Sequence, residues 1–233
     1  MRWVAGVEVL CKVSVIVPVL NEATTIEKFL TQPWVKEAGE VIVVDGGSSD
    51  GTREIARKFV RTISSEPGRG PQMNAGAEAA NGDILLFLHA DVQLESSAIN
   101  AICSAMSKPE VVGGCLDVIF DGGDWVSRLF TVGYHYRRHL RIIYGDAGIF
   151  CRRDVFQRMG GYRNIAIMED YEFARRMWKL GEMALLNEPI VVSDRRWRKE
   201  GLVRTWMVWT LIQTLFSLGY PPEKLGRFYS VIR

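Results

Sequence analysis

Several familiar signatures are missing from this chain of 233 residues, and each absence removes a class of function. Its four cysteines, Cys11, Cys103, Cys115 and Cys151, are scattered, with no CxxC pair and no histidine at ligand spacing. That argues against a structural zinc site or a disulfide scaffold, and a reducing, cytoplasmic compartment fits. No GxGxxG run is present, so a dinucleotide-binding domain would lack its pyrophosphate cradle and a nicotinamide oxidoreductase recedes. Charge of either sign is not in excess: 29 basic and 27 acidic side chains leave +2, which gives no warrant for a polyanion binder. Basic groups do cluster locally, in RRWRK at 195–199 and at Arg137, Arg138 and Arg141, where they face either phosphates or solvent. The start, MRWVAGVEVLCK, has a glutamate inside its apolar stretch and reads poorly as a signal peptide. One long uncharged run exists, TWMVWTLIQTLFSLGYPP at 205–222, at the lower limit for a bilayer span of about 20 residues. Thr205, Thr210, Gln213, Thr214 and Ser217 interrupt it, which favours a helix packed on the domain, paired with a second copy as a homodimer, or flat on a membrane surface.

What is present is a repeated strand, turn and helix pattern. VSVIV at 13–17 is rich in β-branched residues, and Pro18 is expected to end its ladder by removing a donor. Thr24 with Glu27 makes a capping box for a helix whose apolar face begins with Ile26, Phe29 and Leu30. VIVV at 41–44 repeats the buried-strand pattern, and GGSSDGT turns into the helix TREIARKF. Such units in succession predict a mostly parallel sheet covered on both faces. A short strand at 60–64, the loop SSEPGRG, a helix through PQMNAGAEAANG and the central strand ILLFLHAD follow. Farther on come a helix SSAINAICSAM, a strand VVGGCLDVIF with one exposed face, the turn GDAGIF, a helix over 171–180 and the strand pattern MALLNEPIVV. Between them, the rings of Trp125, Phe130, Tyr134, Tyr136 and Tyr144 suit core packing first, a sugar or a lipid tail second.

Carboxylates stand where these strands should deliver them: Glu22, Asp45, Asp91 and the Glu169/Asp170 pair. Ligands of open parallel sheets bind beyond the carboxyl ends of the strands, so the first three converge in one crevice. Asp45 meets two glycines, where a carboxylate can bond a base or ribose hydroxyl, or else cap the next helix, as Ser48, Ser49 or Asp50 also could. Asp91 follows a solidly apolar strand, and a divalent cation bridging phosphates offsets the cost of its charge. His89 points the same way by strand periodicity and either assists or simply fills the sheet edge. Glu169 and Asp170 open a helix; they serve as an acidic N-terminus, a catalytic base, or both. Adjacent helical residues do not face each other, which limits how far Glu169 can tune Asp170.

Taken together, VSVIVPVLNE, VVDGGSSDGT, GRGPQMNAGAEAANGD, LLFLHAD and MEDYEF resemble the inverting family 2 glycosyltransferases of the A-type fold, and HAD, GDAGIF and RRW resemble a small bacterial and archaeal subfamily. The resemblance spans roughly residues 12–200. It implies an α/β, single-domain, three-layer nucleotide-diphospho-sugar transferase fold with a mostly parallel central sheet. Residues 12–111 would form the nucleotide-sugar half, 112–198 the acceptor side and 199–233 a hydrophobic helical tail. It also implies a nucleotide-diphosphate sugar as donor, Mn²⁺ or Mg²⁺ held by Asp91, and Asp170 as the base. Pro18, Glu22, Asp45, Arg69, Asn74, Arg196 and Trp197 would line the donor site, an arginine fork suiting phosphate and an indole a sugar face. The acceptor would be a small molecule or lipid-linked, with peripheral contact at the inner face of the membrane. Two features depart from the family pattern: HAD lacks the usual first aspartate, and the tail follows Ser-Asp. A metal-dependent nucleotidyltransferase and a non-catalytic nucleotide- or nucleic-acid-binding domain are the alternatives. Nucleic acid is disfavoured because carboxylates in the crevice would repel its backbone.

Overall fold

Runs of valine and isoleucine that are apolar on both faces belong at the centre of a sheet. The computed structural model, which describes residues 11–193 and 201–226, puts them there. Strand β1 (Val13–Val19) lies between β2 (Glu40–Asp45) and β4 (Ile84–Phe87), parallel to both, and β3 (Arg61–Ser64) adds in parallel outside β2. The sheet continues through β7 (Ile149–Arg152), β6 (Val111–Phe120), β8 (Glu182–Val192) and β5 (Val92–Leu94), giving the order β3-β2-β1-β4-β7-β6-β8-β5. Here β7 runs antiparallel to both β4 and β6, β8 is parallel to β6, and β5 is antiparallel to β8. Parallel pairings outnumber antiparallel ones, as the sequence pattern predicts.

Helices α1 (Ile26–Leu30), α2 (Trp34–Glu37), α3 (Thr52–Ala56), α4 (Arg69–Ala79) and α5 (Ser97–Met106) follow the first strands. Then come α6 (Trp125–His139), a 3₁₀ turn (Gly145–Ala147), α7 (Arg153–Met159), α8 (Glu169–Met177), α9 (Leu202–Ser217) and α10 (Pro222–Leu225). Helix α4 lies so close to β1 and β2 that a Cβ on Gly76 would sit 2.3 Å from Ile16 Cγ2 and 3.0 Å from Val44 Cγ2. An aromatic cluster of Phe87, Phe156, Tyr162 and Phe173, with Tyr162 and Phe173 stacked at 4.1 Å, ties α7 and α8 to β4. The start of α8 is thereby fixed against the sheet.

Several local expectations are corrected. β1 runs on to Val19 with Pro18 paired to Val44. The Leu88 amide donates to the Ile16 carbonyl, so even-numbered β1 residues face β4, and the donor that Pro18 lacks falls where β4 has already ended. The Thr24/Glu27 capping box does not form: α1 begins at Ile26, and the Thr25 hydroxyl donates instead to the Glu22 carboxylate at 2.6 Å. ILLFLHAD is not one strand, since β4 stops at Phe87 and Asp91 occupies the turn before β5. β6 is buried on both faces along most of its length, because α5 and α6 both pack on it. The cysteines are not unrelated: Cys11 and Cys103 form a disulfide with Cα atoms 5.7 Å apart, which counts against the expected absence of disulfides and the reducing surroundings inferred from it. Arg138, grouped by sequence with phosphate-facing arginines, is buried against the Leu186 carbonyl, Asn187 and Asp117.

No helix among the described residues is long and apolar enough to cross a membrane. α9 packs on the protein: Ile212 is buried with Ile167 and Leu225, Trp209 meets Phe130 and Tyr134 edge-on, and Gln213 accepts from the Tyr144 hydroxyl at 2.6 Å.

Candidate active site

Two loops at the carboxyl ends of β1 and β2 are bonded to each other side chain to backbone. The Asn21 amide donates to Ser48 Oγ and the Ser49 amide to Asn21 Oδ1, both at 2.9 Å. The Glu22 amide donates to Thr52 Oγ1 at 2.7 Å and the Ala23 amide to Asp50 Oδ2 at 3.0 Å. Burial opposes the charge on Asp50, but bonds from Thr52 and the Ala23 amide outweigh it and hold the carboxyl below its ordinary range. Asn21 pays for this arrangement with a left-handed backbone, φ 56°. Asp45, buried, accepts from the amides of Gly47 and Ser48 at 3.2 Å and so closes the turn after β2; it does not cap the next helix, the alternative weighed against ligand binding, because α3 starts at Thr52 with Gly51 before it. Beneath both loops, Gln72 donates from Nε2 to the carbonyls of Val19 and Val44, each at 2.8 Å.

The second half of the site is a group of acids around one arginine. Asp170, in the first turn of α8, is buried, and its carboxylate lies against Gly145, where a Cβ would come within 2.2 Å of Asp170 Oδ2 and 2.7 Å of His89 Nε2. Only glycine lets these two side chains share that position. Helix α8 starts from Met168 in the left-handed conformation, φ 69°, with no side-chain cap, so neither Glu169 nor Asp170 is the cap. Burial, then the neighbouring Glu169 and Asp146, pushes the Asp170 carboxyl well above the usual range, against the pull of Arg69 and the Gly145 amide. Glu169 therefore does tune Asp170 although adjacent helical residues diverge. Asp146 is pushed up to about 6, first by burial and also by Asp91, while a hydrogen bond from the Tyr134 hydroxyl and the charge of Arg69 act the other way. His89 is pushed down to about 4 by burial and by Arg69, with Asp91 opposing, which leaves its imidazole neutral at physiological pH. Arg69 Nη1 stands 3.6 Å from Glu169 Oε1, an ion-pair distance and not a hydrogen bond. Asp146 Oδ1 and Asp170 Oδ1 are buried without a hydrogen-bond partner among the described residues.

Of the residues singled out by sequence, Pro18, Glu22 and Asp45 thus stand at the ends of β1 and β2, and Arg69, His89, Asp91 and Asp170 interact in the acidic group. Asp91 is exposed and borders a hollow of about 190 Å³ with Lys28, Gln32 and Asp121. Asn74 is not part of either group. Its amide exchanges two bonds with the Tyr162 backbone, at 2.9 and 2.8 Å, and it borders a separate hollow of about 310 Å³ beside Glu78 and Arg153 that none of the acidic group lines. Arg196 and Trp197 lie outside the described residues. Asp146, Gln72 and Gly145 were not singled out by sequence. For Asp146 the signal was available, an aspartate between glycine and alanine in the GDAGIF turn just before a strand.

The fold is that of the A-type nucleotide-sugar transferases. The mannosyltransferase PcManGT of Pyrobaculum calidifontis, in complex with GDP-Man and Mn²⁺, superposes with a TM-score of 0.66 at 22% identity over 89% of this chain and 64% of that one. TarS of S. aureus, in complex with UDP-GlcNAc, gives 0.62 at 17% identity over 78% of this chain and 58% of that one. The profile of glycosyl transferase family 2 matches residues 14–163, and the chain belongs to that family. Among its relatives, the glycosyltransferase AglE of Haloferax volcanii is 31% identical over 65% of this chain and 56% of its own length. The probable glycosyltransferase YdaM of Bacillus subtilis is 24% identical over 94% of this chain and 57% of its own. The chain therefore spans a little over half the length of these relatives.

Proposed function

We propose that the chain transfers a sugar, with inversion, from a nucleotide-diphosphate sugar to an acceptor hydroxyl. The observation that carries this reading is Asp170: a buried carboxyl with one oxygen unpartnered and its proton affinity raised, held at the start of a helix beside Arg69. A general base works best when its pKa lies above the ordinary carboxylate range and nearer the operating pH, and burial among other acids shifts Asp170 in that direction. Asp170 takes the proton of the acceptor hydroxyl, whose oxygen forms the new bond to the anomeric carbon as the bond to the diphosphate oxygen breaks. The departing diphosphate gains negative charge, which the guanidinium of Arg69 offsets. Neutral His89 supports the Asp170 side of the cleft without adding a competing cation.

The donor set fits Mn²⁺ or Mg²⁺ bound together with phosphates. No group of three His, Cys, Asp or Glu among the described residues is spaced to hold an ion unaided, and these cations need only one or two carboxylates when phosphates complete the shell. Asp91 would hold the ion, with the unpartnered oxygen of Asp146 beside it. When bound, the ion neutralises charge on the diphosphate. The neighbours bound to GDP-Man and UDP-GlcNAc support a nucleotide sugar as donor. Residues 12–111 are assigned to the donor and 112–198 to the acceptor, a small or lipid-linked alcohol. A cytoplasmic setting at the inner face of a membrane belongs to the same proposal, and it requires the Cys11–Cys103 bridge to be reduced there or kept from reducing thiols.

Thermal melts with GDP, UDP, CDP and dTDP sugars, with and without Mn²⁺, identify the donor. Asp170→Asn should then retain the donor-induced rise and lower kcat by about 10²–10⁴-fold. Turnover by the variant near the wild-type rate would remove Asp170 as base, and release of pyrophosphate in place of nucleoside diphosphate would favour a nucleotidyltransferase.

A further inference from the structure

Helix α6 is apolar on the side that faces away from the protein. Its inner side is filled by Phe130 and Tyr134, which pack on Phe120 and Trp209. Its outer side carries Trp125, Leu129, Val132, Tyr136 and Leu140, spaced by four, three, four and four residues and between 52 and 71% exposed. That spacing aligns them in one stripe along the helix, which at 1.5 Å per residue is about 22 Å long. Monomeric soluble proteins rarely leave a continuous apolar surface of this kind without a partner.

From Trp125 to Gly145 every formally charged side chain is an arginine. Arg128 and His139 are exposed on its flank and Arg141 just beyond its end, while no acid occurs anywhere from 125 to 145. The acid at the helix start, Asp124, caps it by accepting from the Ser127 amide at 2.9 Å. Helix α9, in contact with α6 through Trp209, adds exposed Trp206, Met207 and Leu211 with Arg204 and likewise contains no acid. In a chain whose net charge is only +2, this concentration of cations beside aromatic and aliphatic side chains is local.

We infer that α6 docks the protein on an anionic lipid leaflet, lying flat with its outer stripe among the acyl chains and its arginines at the phosphates. Trp and Tyr suit the boundary between hydrocarbon and headgroup, and arginines flanking an apolar helix face add attraction to negatively charged lipid. A second copy of the chain is the less suitable occupant. A symmetric dimer through this face would set the arginines of one α6 against a second α6 that carries no acid from 125 to 145. The inference takes up the membrane setting proposed above, and its test does not depend on turnover.

The full chain is floated on a density gradient with vesicles of phosphatidylcholine alone and of phosphatidylcholine mixed with phosphatidylglycerol. Wild type is expected to float with the anionic vesicles and to remain behind with neutral ones. The triple variant Trp125→Ser, Leu129→Ser, Tyr136→Ser should lose binding by at least about tenfold. Its melting curve should match wild type, since all three side chains are exposed. Arg128→Glu should weaken binding at low salt and converge with wild type at high salt. Equal flotation of the triple variant and wild type, or no flotation of wild type with either vesicle, overturns the inference. So does a dimer in solution, seen by light scattering, that the triple variant abolishes. Vesicle binding without any sugar transfer would uphold α6 docking while removing the glycosyltransferase reading.

Discussion

Two aspartates twenty-four positions apart, Asp146 and Asp170, lie close enough that Asp146 raises the proton affinity of Asp170. For Asp146 the consequence for stability has a definite sign. Its carboxyl titrates at about 6 in the folded chain and near 3.9 when unfolded, so between those values the folded state holds the proton longer. The stabilisation is complete below about pH 4 and is lost as pH rises through about 6. Asp146→Asn should therefore melt above wild type at pH 7 and level with it at pH 4, while still accepting from Tyr134. Melting curves that stay parallel at both pH values would show that the folded environment does not raise this carboxyl. Asp170 was legible from sequence because it belongs to a motif of adjacent acids before an amphipathic helix. The raised proton affinity was legible only in part: Glu169, its sequence neighbour, contributes, whereas burial, the first cause, and Asp146 come from contacts that no local pattern encodes.

At the scale of elements, α4 is the piece on which the site depends. It brings Arg69 to the acids, Gln72 to the ends of β1 and β2, and Gly76 to within contact of both strands. Gly76→Ala opposes two effects. Alanine favours an α-helix over glycine by up to about 1 kcal/mol, whereas overpacking a core costs about 1–3 kcal/mol. The Cβ would meet Ile16 and Val44, both stiff at χ1 and both fully buried, so the steric cost should dominate and urea denaturation should report a loss of about 1–2 kcal/mol. A variant as stable as wild type would mean that the helix can shift outward. The strands themselves were readable, because continuous β-branched runs such as those of β1 and β2 have few other homes in a soluble domain. Helix starts were less so. The capping residues of α1 were misplaced because Thr25 bonds Glu22 instead, and the alternation along β6 suggested an exposed face although α5 and α6 both pack on the strand and leave only Ile119 exposed.

Across the whole molecule, Cys11 and Cys103 close a loop of 92 residues between the approach to β1 and helix α5. A bond across so long a segment restricts the unfolded chain strongly, by up to about 4 kcal/mol. Dithiothreitol, or Cys103→Ser, should lower the melting temperature accordingly, and an unchanged value would exclude the bridge from the protein in solution. Cys115 and Cys151 should stay inert in the same experiment, since burial pushes the Cys115 thiol up to about 12 and the Cys151 thiol upward as well. Pairing over such a distance is invisible to spacing rules, which is why scattered cysteines read as unrelated. The interlocked loops behind β1 and β2 carry a different lesson for engineering. Asn21, Glu22 and Ala23 are each tied to a residue between Ser48 and Thr52, so neither loop can move by itself. If the proposed donor site lies here, redirecting it from one base to another would call for exchanging side chains on a rigid frame; lengthening or shortening either loop would unfasten both.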